Sequence, residues 1–134
     1  MPAVQIFNSF KEAVAEKVHN LEADTLKLAL SNTAPSLSNA VLTDITQIAA
    51  TGGYAPATIA VTSSAQAGGT YSLALGPVTF TASGAAFAEF RYVVLYNDTA
   101  TNDELIGFFD YGAGYTLADG SDFTINAGTW LTNA

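Results

Sequence analysis

The spacing of hydrophobic residues near the N-terminus is helical. Five apolar residues recur at intervals of three or four: Phe7, Phe10, Val14, Val18 and Leu21. Such spacing gives one apolar stripe and is typical of an amphipathic helix. Ser9 and Glu12 have the Ser-x-x-Glu form of a capping box. The pattern therefore predicts a helix over residues 9–18.

From residue 25 onward the apolar period is two. Leucines alternate with small or polar residues over 25–31, as a half-buried strand requires. Further short runs rich in β-branched and aromatic residues predict strands over 58–62, 71–75, 78–81, 90–96, 105–111, 115–117, 123–125 and 129–131. Eight or nine short strands at about ten-residue spacing predict a mainly β fold, a jelly-roll-like antiparallel β-sandwich with a short N-terminal helix.

The connections between these strands are also predicted. The run 90–96 is the most apolar, so we expect it to be a central strand with 105–111 beside it. Gly76-Pro77 predicts a turn, and Asp119-Gly120 predicts a hairpin. Residues 41–48 have near-helical spacing and predict a short helix or an irregular segment.

Length and composition favour a single domain over residues 1–134, with an N-terminal arm and helix over 1–23 and a β-sandwich over 24–134. The chain has four basic and twelve acidic residues, for a net charge of -8, and this charge argues against nucleic-acid binding. The absence of cysteine excludes disulfides and thiolate chemistry. The first residues lack the features of a secretory signal, and no apolar run is long enough for a membrane helix, so we expect neither.

The segment from Ile45 to Ala88 contains no charged residue, and threonine, serine, glycine and alanine fill much of it. This composition suits a subunit that packs against neighbours, because charged residues are depleted at interface centres. A monomer with a neutral surface is the alternative.

Candidate catalytic chemistry is sparse. His19 is the only histidine, and its polar neighbours predict a solvated side chain rather than a catalytic one. We therefore expect no catalytic, cofactor or metal site. The oxygen-rich loop 97–104 suits either a calcium ion or ordinary turns.

Two carboxylates, Glu89 and Asp110, lie at the edges of the two most hydrophobic strands. Paired carboxylates are the minimum for glycoside hydrolysis. Arg91 lies close to them in an apolar run and needs an anionic partner if buried. We therefore expect Glu89, Arg91 and Asp110 to serve a structural ion pair.

Tyrosines cluster in the second half of the chain. Tyr92, Tyr96, Tyr111 and Tyr115 allow three interpretations: core residues, a subunit interface, or a stripe that stacks sugars.

Several runs in this order also resemble a known family: 10–12, 24–30, 52–54, 90–96 and 105–112. Together they resemble small virion proteins of tailed bacteriophages, the capsid decoration or cement proteins, which have a jelly-roll fold. The family often has glycines after the Gly53-Tyr54 pair, whereas this chain has Ala55-Pro56-Ala57.

The resemblance implies a non-enzymatic virion protein made in the host bacterial cytoplasm. It would bind the outer surface of the head and stabilise the lattice of the major capsid protein. It would act as a homo-oligomer, a dimer or trimer, with no nucleic-acid or membrane partner. We expect contacts from the N-terminal arm and the strand aromatics, in particular Val4, Ile6, Phe7, Phe108, Tyr111 and Tyr115. A phage tail or fibre-associated subunit and a carbohydrate-binding module are the alternatives.

Overall fold

A computed structural model describes residues 4–133, without the side chain of Asn133. In chain order its elements are β1 (Gln5–Ile6), α1 (Asn8–Ala15), β2 (Leu26–Ser31), a 3₁₀ turn (Leu42–Asp44), β3 (Ala57–Ile59), β4 (Val61–Ala67), β5 (Thr70–Thr81), β6 (Phe90–Asn97), β7 (Leu105–Tyr115) and β8 (Asp122–Asn133).

The strands form two antiparallel sheets that pack face to face. One has the order β1-β7-β6-β2-β3 and the other the order β4-β5-β8. Side chains from both sheets meet in the main core, where Phe109 contacts Trp130 and Phe90 contacts Phe123. The predicted mainly β sandwich with a short N-terminal helix is confirmed. Its jelly-roll connectivity stays a prediction.

Strand β6 is the central strand of the larger sheet, as predicted. It pairs with β2 on one side and with β7 on the other. The outer face of this sheet carries a second apolar cluster: Phe7, Ala29, Ile45, Val94, Tyr96, Leu105 and Phe108. Ile45 follows the 3₁₀ turn, so the segment after β2 covers part of this face. Both faces of β6 are therefore buried, which explains its nearly continuous hydrophobic run.

The N-terminal segment belongs to the sandwich. Gln5 and Ile6 pair with Phe108 and Gly107 at the edge of the larger sheet. A Cβ atom at Gly107 would lie only 2.9 Å from the carbonyl oxygen of Gln5, so a glycine lets β1 approach. The predicted boundary at residue 23 therefore does not separate an arm from the sheet. Met1 to Ala3 of the predicted arm lie outside the described residues.

The helix begins one residue earlier and ends three residues earlier than predicted. Phe7 occupies the N-cap position, no side chain caps the helix, and the predicted Ser9–Glu12 capping box is wrong. The amide of Asn8 donates instead to the carbonyl oxygen of Leu37, at 3.0 Å. Phe7 is fully buried, and its burial sets where the helix starts.

Gly76-Pro77 does not form the predicted turn, because β5 runs through it as one twelve-residue strand. Leu75 is the last β5 residue paired with β4, and Pro77 pairs only with Asn126 of β8. At Pro77 one side of the strand is an edge, where a missing N–H group is tolerated.

The hairpin predicted at Asp119-Gly120 is also wrong. A turn is present, with the amide of Ser121 donating to the carbonyl of Ala118 at 2.9 Å. The strands that flank it, β7 and β8, lie in different sheets. The turn is a crossover between the layers.

Candidate interaction surfaces

The end of the sandwich where β8 begins carries a cluster of four aromatic rings. Phe90 and Phe123 form its buried base, and Tyr111 and Tyr115 lie over them. Tyr111 is 43% exposed and Tyr115 38% exposed. We call these four residues the tyrosine patch. Rigid, half-exposed tyrosines on a buried base are typical of protein contact surfaces.

A bulge in β7 presents this patch. Phe90 pairs with Tyr115 and Tyr92 pairs with Asp110, so residues 111–114 lie opposite Arg91 alone. The Glu89 carboxylate occupies the space beside Gly114 and accepts a 3.2 Å hydrogen bond from Asn32. Glu89, Asp119 and Asp122 are exposed at this end of the molecule. The surroundings of the patch are therefore acidic.

The other predicted contact residues lie deeper. Phe7 and Phe108 are buried against each other, with ring centroids 5.3 Å apart. Val4 and Ile6 are half-buried beside Gly107. Of the six predicted contact residues, the structure leaves only the two tyrosines widely exposed.

The structure places Arg91 against Asp110. Arg91 Nε and Nη2 donate to the two carboxylate oxygens at 2.7 and 2.9 Å, across the pair β6 and β7. This contact holds the pKa of Asp110 below its usual range, with help from the Gly112 amide. Glu89 does not join the pair but binds Asn32 instead. The two carboxylates thus have separate partners.

The four tyrosines do not form one stripe. Tyr96 is buried in the outer cluster of the larger sheet, and Tyr92 is partly buried against Phe108. Tyr111 and Tyr115 meet at an interplanar angle of 72°, with their centroids 6.3 Å apart. Two rings at this angle do not make the coplanar platform on which a sugar ring stacks.

A groove of about 850 Å³ lies at the other end of the sandwich, between α1 with the turn after it and one end of the smaller sheet. Its walls are mainly apolar side chains, from Ile6, Phe10, Val14, Val18, Leu21, Tyr71 and Leu131. The charged residues of the lining are Lys11, Lys17, Glu22 and Asp24. Val14 is 45% exposed. We call this surface the helix groove.

Lys17 has an unusual backbone conformation. The helix ends in a Schellman arrangement, in which the amide of Val18 donates to the carbonyl of Ala13 at 2.8 Å. Lys17 lies at the left-handed position with φ +66°, where glycine is usual. The chain carries a lysine here at a conformational cost.

The four basic residues differ in whether they form ion pairs. Lys27 pairs with Asp98 at 3.5 Å, and Arg91 pairs with Asp110. Among the described residues, Lys11 and Lys17 form no ion pair. Both line the helix groove, where the carboxylates of Glu22 and Asp24 balance their charge. In the sequence, residues 1–27 hold three of the four basic residues and four acidic ones beside an amphipathic helix.

His19 is buried, and the prediction of a solvated side chain is wrong. Its ring packs against Phe10 at a centroid distance of 5.3 Å, and its Nδ1 lies 2.9 Å from Nδ2 of Asn97. Burial lowers the pKa of His19, while the carboxylates of Glu104 and Asp24 oppose that shift. Asn97 and Glu104 belong to the oxygen-rich segment 97–104, so this segment helps to hold the chain that follows α1.

The outer face of the smaller sheet is rich in hydroxyl groups. Thr79 and Thr124 are hydrogen-bonded across β5 and β8 at 2.9 Å, and Thr81 donates to Asp122 at 2.7 Å. Asp122 is the single charged residue in the three strands of this sheet. The uncharged segment 45–88 supplies β4 and β5, and thus most of this face.

Within residues 4–133 no group of three or more His, Asp or Glu side chains is arranged to hold a metal ion. None of the helices described there has the length and hydropathy of a membrane span. Comparison of the chain with protein-family models, with curated proteins and with solved structures finds no match.

Proposed function

We propose that the protein is a structural component of a virion: a capsid decoration protein that binds the outer surface of a phage head and stabilises the lattice of the major capsid protein. The single observation that carries the proposal is the outer face of the smaller sheet. This face is nearly uncharged although the chain has a net charge of -8. A face of this kind packs against another protein without burying an unpaired charge. Burying such a charge costs several kcal/mol of binding free energy, on the order of what a good contact contributes.

The resemblance of the sequence runs to decoration proteins supports the same function. These runs supply β2, β6 and part of β7, the strands that support the core, and one of them includes Tyr111. The mechanism is mass action. A subunit that binds the assembled shell and not its separate parts stabilises the shell by its binding free energy. Because the contact repeats at many sites on the shell, a modest binding free energy at each site adds up over the whole shell.

The test uses heads that lack this protein. Adding the purified chain is expected to raise the temperature at which expanded heads rupture. Equal rupture temperatures with and without bound protein would contradict the proposal. Labelled protein seen at the tail and not over the head would favour a tail subunit instead.

One substitution tests the face directly. Thr79→Asp places a charge there while keeping a cross-strand hydrogen bond, because the fold already has a Thr–Asp pair at Thr81 and Asp122. We expect at least about tenfold weaker head binding, because that charge must be desolvated. Thr43→Asp adds the same charge in the exposed 3₁₀ turn and is the matched control. If Thr79→Asp binds as tightly as this control, another surface makes the contact.

A further inference from the structure

We propose that the tyrosine patch binds an arginine side chain on the surface of a different protein. The planar guanidinium group of that arginine stacks on the ring of Tyr111, and the carboxylates around the patch balance its charge. This inference goes beyond the proposed function. That function is carried by the outer face of the smaller sheet, whereas the patch lies at one end of the sandwich and binds by different chemistry.

The ring of Tyr111 is held in place but is not stacked on its neighbours in the patch. It meets the ring of Tyr115 at an interplanar angle of 72° and the ring of Phe123 at 77°. Tyr115 lies against Phe123 at a shallower angle of 36°. Tyr111 is also the more exposed of the two tyrosines. Its ring is therefore the one that a planar group from another molecule can stack on.

The end of the sandwich that carries the patch is negatively charged. Glu89 and Asp122 directly precede the two phenylalanines of the patch, and Asp119 lies in the turn that leads to Asp122. All three side chains are exposed, and within the described part of the chain none of them forms an ion pair. Each accepts a hydrogen bond from a neutral group instead: Asn32, the amide of Gly84, and Thr81. A cation bound at the patch is therefore attracted by three uncompensated charges.

The chain already binds one arginine in this way. The guanidinium group of Arg91 lies over the ring of Tyr92, 5.6 Å from its centroid. It also donates to both carboxylate oxygens of Asp110, at 2.7 and 2.9 Å. A guanidinium group can contact an aromatic face and a carboxylate at once, which the compact ammonium group of lysine does less well. The patch offers the same two kinds of partner without an arginine.

The arginine has to come from a different protein. Arg91 is the only arginine in the sequence, and its contacts with Tyr92 and Asp110 occupy it. A second copy of this acidic chain would bring further negative charge to an acidic surface. A partner with an exposed arginine is attracted by the same surface, and that attraction raises the rate of encounter.

The probe is the peptide acetyl-Gly-Arg-Gly-Arg-Gly-amide, added to the isotope-labelled full chain at constant ionic strength. We expect the NMR signals of backbone amides at 111–115 to shift progressively, with a dissociation constant in the millimolar range. Citrulline in place of arginine keeps the planar group without its charge, and lysine keeps the charge without the planar group. We expect each of these two peptides to bind at least about threefold more weakly.

Two variants with matched controls test the patch itself. Tyr111→Leu removes the ring, and Tyr111→Phe, which keeps the ring, is its control. Asp122→Asn removes one charge and keeps an oxygen that can accept the Thr81 hydroxyl. Its control is Glu12→Gln, which removes the same charge from an exposed position of α1. We expect Tyr111→Leu and Asp122→Asn to bind the arginine peptide at least about threefold more weakly than their controls. Circular dichroism spectra and melting temperatures show whether each variant is folded.

The inference is overturned if the arginine peptide shifts no patch signal up to its solubility limit. It is equally overturned if the citrulline or lysine peptide binds as tightly, or if a folded patch variant binds like its control. Patch signals that shift on dilution of the protein without peptide would make a second copy the occupant, against the proposal. These outcomes are separate from the capsid proposal, since a chain that ignores the peptide and still raises the rupture temperature of heads leaves that proposal intact.

Discussion

Asn97 at the end of β6 holds His19, which lies 78 positions earlier in the chain, through a hydrogen bond of 2.9 Å. The orientation of the Asn97 amide is fixed, because its Oδ1 accepts the backbone amides of Thr99 and Ala100. Its Nδ2 therefore donates both to Asp24 and to Nδ1 of His19. His19 must accept through Nδ1 and carries its proton on Nε2. A doubly protonated ring would lose this bond.

This arrangement makes stability depend on pH. Burial holds the pKa of His19 below its ordinary value of 6.5, so near that pH the unfolded chain binds more protons than the folded one. The free energy of unfolding is then expected to fall as the pH decreases through about 6.5 towards the folded-state pKa, and to be insensitive to His19 above about pH 7.5. Urea unfolding at a series of pH values measures this.

The control for the pH experiment is His19→Gln, which can still accept the Asn97 hydrogen bond but does not titrate in this range. The variant should lose less stability than the wild type between about pH 7.5 and 5.5. Equal losses in the two proteins would mean that carboxylates, not His19, cause the dependence.

The hydroxyl of Tyr54 completes the hydrogen bonding of β2. It accepts the amide of Leu30 at 2.9 Å, beyond the last residue of β2 that pairs with β3, and donates to Gln47 at 2.8 Å. Burial raises the pKa of Tyr54 to about 12, so the hydroxyl keeps its proton. Tyr54→Phe leaves a buried amide without a partner and should cost about 1–3 kcal/mol in unfolding free energy. Tyr71→Phe, whose hydroxyl bonds only the part-buried Ser64, should cost less.

Lys17→Gly should stabilise the fold. Glycine adopts a φ of +66° without the steric cost that a Cβ atom brings, a difference of about 1 kcal/mol. Thermal or urea unfolding measures the gain, and Lys17→Ala, which keeps the Cβ atom, should show none. If Lys17→Gly is no more stable than Lys17→Ala, the left-handed position carries no strain.

Gly107→Ala should loosen the N-terminal strand. The new Cβ atom would press on the carbonyl of Gln5, and overpacking of this kind costs about 1–3 kcal/mol. The amide of Phe7, which donates to Ile106 at 3.2 Å, should exchange its hydrogen faster. Gly76→Ala is the control, because the added Cβ atom would make only an ordinary van der Waals contact, with Cγ2 of Thr62 at 3.5 Å. Unchanged exchange at Phe7 would show that β1 can shift at no cost.

Local periodicity predicted the elements that are buried on a regular pattern. The alternating leucines of β2 and the apolar run of β6 predict strands correctly, because burial produces a recognisable spacing. The half-buried character predicted for β2 is wrong, since Ala29 and Ser31 between and beyond the leucines are buried too. Predictions from turn residues were less accurate than predictions from periodicity. Pro77 is tolerated inside β5 only because β4 ends before it, and the partners of a strand are a property of the whole fold.

The interaction surfaces depend still more on distant contacts. The polar neighbours of His19 in the sequence suggested exposure, yet Phe10 and Asn97 enclose it from other elements. Phe7 and Phe108 are predicted contact residues in the sequence, but they are core residues because their rings pack against each other in the outer cluster of the larger sheet. Tyr111 is exposed because a bulge displaces it, and Gly112 and Gly114 within that bulge are the sequence signal that the strand prediction over 105–111 did not use.

The small number of basic residues gives the molecule a simple pattern of tryptic cleavage. Trypsin cuts after lysine and arginine; Lys27 and Arg91 lie within paired strands, and Lys11 lies within the helix. In the native fold, the peptide bond after Lys17 is the accessible one, since this exposed residue follows the end of α1. A single nick there divides the chain into two fragments that a mass spectrometer distinguishes at once. How slowly that nick appears therefore reports, without any label, whether a neighbouring molecule covers this end of the protein.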